Sequence, residues 1–289
     1  MSLETIPCCL CKESKLTELQ KTKLCGLSKC LSCGLVFLNP RPDKLEHVKF
    51  HRSGYFTRYY NESVKQFYRL KGKLYQRIRC LNMSRLNLIR RYVPQGTLLD
   101  VGAGQGMFIT IAKQSGFQVT AIDILEDVAS YFNLNGYDYR SGYLEELSLP
   151  SNIYDAVTMW HSLEHTLNPY NTLKGVNRVL KDNGYLFIAV PNFDSIILRI
   201  NLFLNRPFFS NASTEIHYFQ FTRNTLARLL RESGFQLIHY RPDLRESLKS
   251  SWRTNVSQVI NWGGSLIYRL IGQPHYANIL LVAQKTLKR

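Results

Sequence analysis

From Gly96 onward the chain alternates two hydrophobic rhythms. Compact β-like apolar runs occur at Thr97–Val101, Phe117–Ile122, Tyr137–Tyr139, Ala156–Trp160, Tyr185–Val190, Phe235–Tyr240 and Ile279–Ala283. Between them, apolar residues recur at helical steps, as in Thr172–Leu180 and Thr225–Arg231. Asn183-Gly184 and Ser233-Gly234 supply the turns that stop those two helices. Strands alternating with helices call for crossover connections and a largely parallel sheet. The spacing therefore predicts an α/β fold, a doubly wound seven-stranded Rossmann-like sheet.

Upstream the rhythm changes. Leu74, Ile78, Leu81, Leu88, Ile89 and Tyr92 form an apolar stripe at steps of three and four, interrupted by Arg85. That is the pattern of an amphipathic helix packed on a larger body. Between Ser63 and Gln95 there are nine Lys or Arg and no acid, so its outer face is basic. Residues 1–40 carry no long periodicity and are rich in cysteine. We expect a four-cysteine module over 1–40, a basic helical segment over 41–94, and the α/β domain over 95–289. An insertion at about 245–274 within that domain precedes the last strand.

The densest chemical signal lies at the first strand of the sheet. Leu98-Leu99-Asp100-Val101 runs into Gly102-Ala103-Gly104-Gln105-Gly106, a buried strand ending in a glycine turn that opens a helix. Asp123 closes the next strand, where a carboxylate can accept hydrogen bonds from the ribose hydroxyls of a nucleoside. The spacing is G-x-G-x-G rather than the G-x-G-x-x-G of dinucleotide sites. Asp100 stands where a pyrophosphate would be repelled, but it suits the ammonium and sulfonium of S-adenosylmethionine.

Seven cysteines cluster mainly at the N-terminal end. Cys8-x2-Cys11 and Cys30-x2-Cys33 have the spacing of a four-thiolate structural zinc site, each pair on a tight turn. Cys9 is a spare, and Cys25 and Cys80 are expected to be buried thiols. Four thiolates leave no open position on a zinc ion, so catalytic zinc is not expected there. The absence of a secretory pattern and of a long apolar run leads us to expect a cytoplasmic protein. A formal charge of +16 favours an anionic partner: a phosphorylated small molecule, nucleic acid, or the surface of a membrane. No pattern assigns an oligomeric state.

Residues 96–192 resemble the class I S-adenosylmethionine-dependent methyltransferases. The likeness runs through Tyr154-Asp155-Ala156-Val157-Thr158-Met159-Trp160-His161-Ser162-Leu163-Glu164-His165, Asn168-Pro169, Val179–Leu186 and Pro191-Asn192, and on to His217-Tyr218-Phe219 with Phe221-Thr222. The cysteine pairs followed by Gly34-Leu35-Val36-Phe37-Leu38-Asn39-Pro40 resemble the N-terminal end of bacterial zinc-ribbon methyltransferases, several associated with sugar or polysaccharide modification. The resemblance implies that Asp100, Gly102, Ala103, Gly104 and Gly106 line the methionine side, with Asp123 and Ile124 at the ribose. Leu144 and Glu145 would border the adenine, and Tyr143 stands where many relatives carry Asp. It also places His161 beside the methionine moiety, and gives Asp155 a structural role.

Histidine is the natural general base for an oxygen or carbon acceptor near neutral pH. The candidates are His161, His165 and His217. The expected acceptor is a small molecule, first of all a sugar of a nucleotide- or lipid-linked glycan precursor. The alternative is RNA, with Lys65–Arg91 as a phosphate track. Arg253–Gly272 would shape the acceptor site or rest on a membrane surface.

Overall fold

The computed structural model describes residues 2–21, 25–52, 72–195, 198, 217–243 and 277–286. The expected insertion at 245–274 and residues 53–71 of the basic helical segment lie outside the described residues.

The central sheet has seven strands: β6 (Thr97–Val101), β7 (Gln118–Asp123), β8 (Asp138–Ser141), β9 (Tyr154–Trp160), β10 (Leu180–Pro191), β12 (Phe235–Pro242) and β13 (Asn278–Lys285). Their order is β12-β13-β10-β9-β6-β7-β8, with β13 antiparallel to both its neighbours and the pairs from β10 to β8 parallel. The strand order reverses at β6. The chain runs outward through β7 and β8, then returns to β9 on the other side of β6. In an open α/β sheet the crevice beyond the strand ends at this switch point is where ligands bind. The turns after β6, β7 and β9 all open into it.

Helices α3 (Met107–Gln114), α4 (Glu126–Leu134), α5 (Pro169–Val179) and α6 (Arg223–Glu232) flank the strands. α5 begins cleanly: Asn168 accepts the amide of Asn171 and Pro169 occupies the first turn. α6 is closed by a reciprocal pair between Thr222 and Thr225. The helix expected to reach Leu180 stops at Val179, because Leu180 already pairs with Tyr154 before the register shifts at Tyr185. The third strand lies slightly later than its apolar run suggested, since Tyr139 is the residue it buries.

The basic helix is α2 (Gly72–Arg90), after α1 (Lys44–Arg52). Its buried face includes Ile78, Leu86, Leu88 and Ile89, packed with Phe108 and Ile111 of α3 and with Phe187 and Leu280 of the sheet. Cys80 is exposed on this helix, contrary to the expected buried thiol, because it falls opposite that stripe. Cys25 is buried, as expected.

The N-terminal module contains β1 (Leu3–Glu4), β2 (Leu16–Lys21), β3 (Gly26–Cys30), β4 (Val36–Leu38) and β5 (Arg41–Pro42). β2, β3 and β4 form a second sheet, completed by β11 (Phe219–Gln220), a strand supplied from beyond β10. Leu27, Phe37, Leu38, Tyr218, Phe219 and Phe221 share one apolar cluster with Leu163 and Leu173 of the α/β part. So small a module has little core of its own. Its apolar residues are covered by the larger body.

Candidate active site

At the end of β6, Asp100 is buried and accepts a 2.5 Å hydrogen bond from Thr158 of β9. Burial pushes its carboxyl up to about 7, against the opposing pull of Thr158 and Arg85. The following turn is left-handed at Gly102, φ 77°, and at Gly106, φ 73°. A side chain at Gly102 would run into Ser162, and one at Gly106 into the ring of Phe132. Glycine is therefore required at both by conformation and by close approach. Ser162 Oγ donates to Val101 O at 2.7 Å, locking the turn after β9 against the turn after β6.

Asp123 closes β7 and accepts from the amide of Gly104 at 2.8 Å. Burial raises its carboxyl, while the amides of Gly104, Ile124 and Leu125 pull it back. Ala103 and Ile124 are half-buried beside it. Leu144 is buried against Gly175, so its backbone rather than its side chain is what a ligand at this edge would meet. Glu145 accepts from Thr172 at 3.2 Å, which leaves it tied to α5.

The histidines form a wall of their own around the turn that follows β9. His161 follows β9 with φ 56°, an uncommon conformation for a residue with a Cβ. Its Nε2 donates to Asp243 Oδ2 at 2.9 Å, and its Nδ1 lies 3.5 Å from Glu164 Oε1. Asp243 is held in turn by Arg85 at 2.6 Å, whose guanidinium lies over the Trp160 ring. Burial alone would raise the Glu164 carboxyl, but His161, His165 and His217 together outweigh it and hold it at about 2.

His165 and His217 meet edge to face, ring centroids 4.7 Å apart. His51 of α1 stands 6.0 Å from the His165 ring and is a charge neighbour of Asp123. His47 bridges the same wall, with Nδ1 to Tyr143 Oη and Nε2 to His165 O, both 2.8 Å. Burial, aided by His51, pushes His47 down to about 3, so it is neutral. A neutral ring must donate from Nε2 to the carbonyl and accept the Tyr143 hydroxyl at Nδ1.

Residues 74–240 match the family model described as "Methyltransferase domain". This chain belongs to that family. The chain is 32% identical over 124 residues to the ubiquinone biosynthesis O-methyltransferase of Xanthomonas oryzae pv. oryzae, covering 40% of this chain and 52% of that protein. The enzyme of the same name from Xanthomonas axonopodis pv. citri is 29% identical over 188 residues, 61% of this chain and 77% of that one. The chain thus spans about half the length of the first of these relatives. A solved SAM-dependent methyltransferase of Methanosarcina mazei aligns with a TM-score of 0.50 and 18% identity, over 70% of this chain and 98% of that one. That likeness concerns the fold.

Within the domain, the structure brings Asp100, Gly102, Ala103, Gly104, Gly106, Asp123 and Ile124 to one crevice. His165 and His217 meet edge to face, linked to that group through His51, and His161 is tied to Asp243. His47, His51 and Asp243 were not among the residues that the sequence singled out. One signal was present for Arg85 alone, a cation set into an apolar stripe. Asp155, expected to serve structure, accepts from Thr97 N and from Lys181 at the foot of the strands.

Away from this crevice, Cys8, Cys11, Cys30 and Cys33 place their sulfurs within 4.8 Å of one another, with Cys8–Cys33 and Cys11–Cys30 at 3.4 Å. Zinc–sulfur bonds of about 2.3 Å put tetrahedral sulfurs roughly 3.8 Å apart, so the residues fit such an ion. Cys9 is buried and lies outside the set. Among the described residues no helix is long and apolar enough to cross a membrane.

Proposed function

We propose that this chain transfers a methyl group from S-adenosylmethionine to a hydroxyl oxygen of a small, anionic acceptor. The carrying observation is the pair of carboxylates, buried Asp100 and half-buried Asp123, on consecutive parallel strands around a glycine turn at the switch point. The name of the Xanthomonas relatives, O-methyltransferases, supports an oxygen acceptor. When bound, the cofactor supplies an electrophilic methyl group on a sulfonium.

Each residue then has a physical task. Asp100 pairs with the ammonium, Asp123 accepts from the ribose hydroxyls, and the glycines let the backbone approach without a Cβ. The His165–His217 wall faces the acceptor, while His161, fixed by Asp243, holds the wall in place. In-line displacement needs little beyond this positioning. The +16 charge supports an acceptor carrying phosphate, with a sugar of a nucleotide- or lipid-linked precursor as the first candidate. The described part of the basic segment buries its apolar face, which supports a packing role over an RNA track. We assign one structural zinc ion to Cys8, Cys11, Cys30 and Cys33.

Incubation with S-adenosylmethionine and a panel of sugar phosphates and phenols, followed by product-ion mass spectrometry, tests the reading. A methyl ether on a small acceptor supports it. Methylation of RNA alone would replace it.

A further inference from the structure

We infer that Glu164, His165 and His217 form a second metal site, one that holds a divalent cation on the acceptor side of the crevice. Glu164 and His165 lie on the short turn Leu163–His165 after β9, and His217 lies just ahead of β11. Their ligand atoms all fall within 4.8 Å of one another. Metal–nitrogen and metal–oxygen bonds of about 2.1 Å allow ligand atoms up to roughly 4.2 Å apart, so small side-chain rotations close the set around an ion.

An independent observation points to a cation. Glu164 is 1% exposed, and neither of its oxygens has a hydrogen-bond donor among the described residues. A buried carboxylate in that state calls for a positive partner. The nearest candidate, His161, holds its Nδ1 at 3.5 Å and commits its other nitrogen to Asp243. Asp243 is itself shared with Arg85, so that group of charges is already matched without Glu164.

Two imidazoles and one carboxylate are donors for first-row divalent ions such as manganese, cobalt or zinc. Unlike four thiolates, three ligands leave positions open for a substrate oxygen. His165 and His217 are only half-buried and so can present an ion to the crevice. The ion's role, though not its binding, rests on the proposed methyl transfer to a hydroxyl. Bound there, the acceptor hydroxyl releases its proton to solvent and stays as an oxyanion. The oxygen–methyl bond then forms as the methyl–sulfur bond breaks, and the electron pair leaves with sulfur as a neutral thioether.

The full chain, with its cysteine site loaded with zinc, is titrated with Mn2+ and the free ion followed by electron paramagnetic resonance. Mn2+ disfavours thiolates, so it reports on the nitrogen–oxygen site. One bound ion per chain is expected. His165→Gln and His217→Gln should each weaken it at least tenfold, with S-adenosylmethionine affinity within twofold of the parent. Co2+ should give ligand-field bands without a thiolate charge-transfer band. No manganese or cobalt binding at millimolar concentration, or binding unchanged in both histidine variants, overturns the site. Ion binding without any methylated product would leave the site standing and remove the proposed reaction. Product formation with no bound ion and no response to chelator would do the reverse.

Discussion

At the residue scale the account turns on Asp100. Its carboxyl keeps a proton to about pH 7 because burial outweighs the hydrogen bond from Thr158. In the unfolded chain it ionises near the ordinary carboxylate value. Between those limits the folded state binds more protons, so this group's contribution to the stability of the cofactor-free protein falls as pH rises. A cationic ligand reverses the preference by favouring the carboxylate. Affinity for S-adenosylmethionine should therefore rise up to tenfold per pH unit below about pH 7 and level off above it. Calorimetry across pH, in buffers of different ionisation enthalpy, should show proton release on binding below that point. A flat profile, or tighter binding at low pH, would remove Asp100 from the site. Asp100, Asp123 and the glycines were legible because one strand–turn–strand carries them all. His47 and His51 were not, since only packing brings α1 against residues about 100 positions later, as the His47–Tyr143 bond shows.

At the scale of elements, α2 is fastened to the sheet by an ion pair inside its apolar face. Arg85 and Asp243 are 5% and 8% exposed, and the pair also anchors His161. Replacing Arg85 by Met leaves a buried carboxylate with one remaining partner. Breaking such a pair from one side costs about 3–5 kcal/mol. Urea denaturation of Arg85→Met should show a loss of that order, and a change below about 1 kcal/mol would mean that water already shares the site. The inner strands of the central sheet were legible from their apolar runs, because β6, β9, β13 and residues 186–190 of β10 are buried along nearly their whole length. The small sheet was not. Its strands are short, and β11 reaches β4 from about 180 residues further along the chain, as the Phe37–Phe219 pairing shows. Arg85 broke the stripe for a reason that only the position of Asp243 reveals.

On the scale of the whole molecule, the cysteine module and the α/β body share one apolar cluster, so the proposed zinc ion would bear on order at both ends. Four sulfurs this close could hold one ion, and burial pushes the Cys8 thiol up to about 11. Protein purified without added metal should carry tightly held zinc, measured by elemental analysis. Cys30→Ser should release it and expose β2–β4 to proteolysis, while Cys80→Ser should retain it. Full zinc content in a Cys30→Ser, Cys33→Ser double variant would refute the assignment. The cysteine spacing made this site legible, but not the dependence of its sheet on β11.

The central claim is that the crevice at the switch point takes S-adenosylmethionine, and isothermal titration calorimetry of the zinc-loaded chain measures it directly. The account predicts one site per chain, with Asp123→Ala weakening binding by about 1.5–3 kcal/mol, the range for hydrogen bonds to a charged group. A folded parent protein that shows no heat with S-adenosylmethionine, or that binds a nicotinamide dinucleotide in its place, would contradict it.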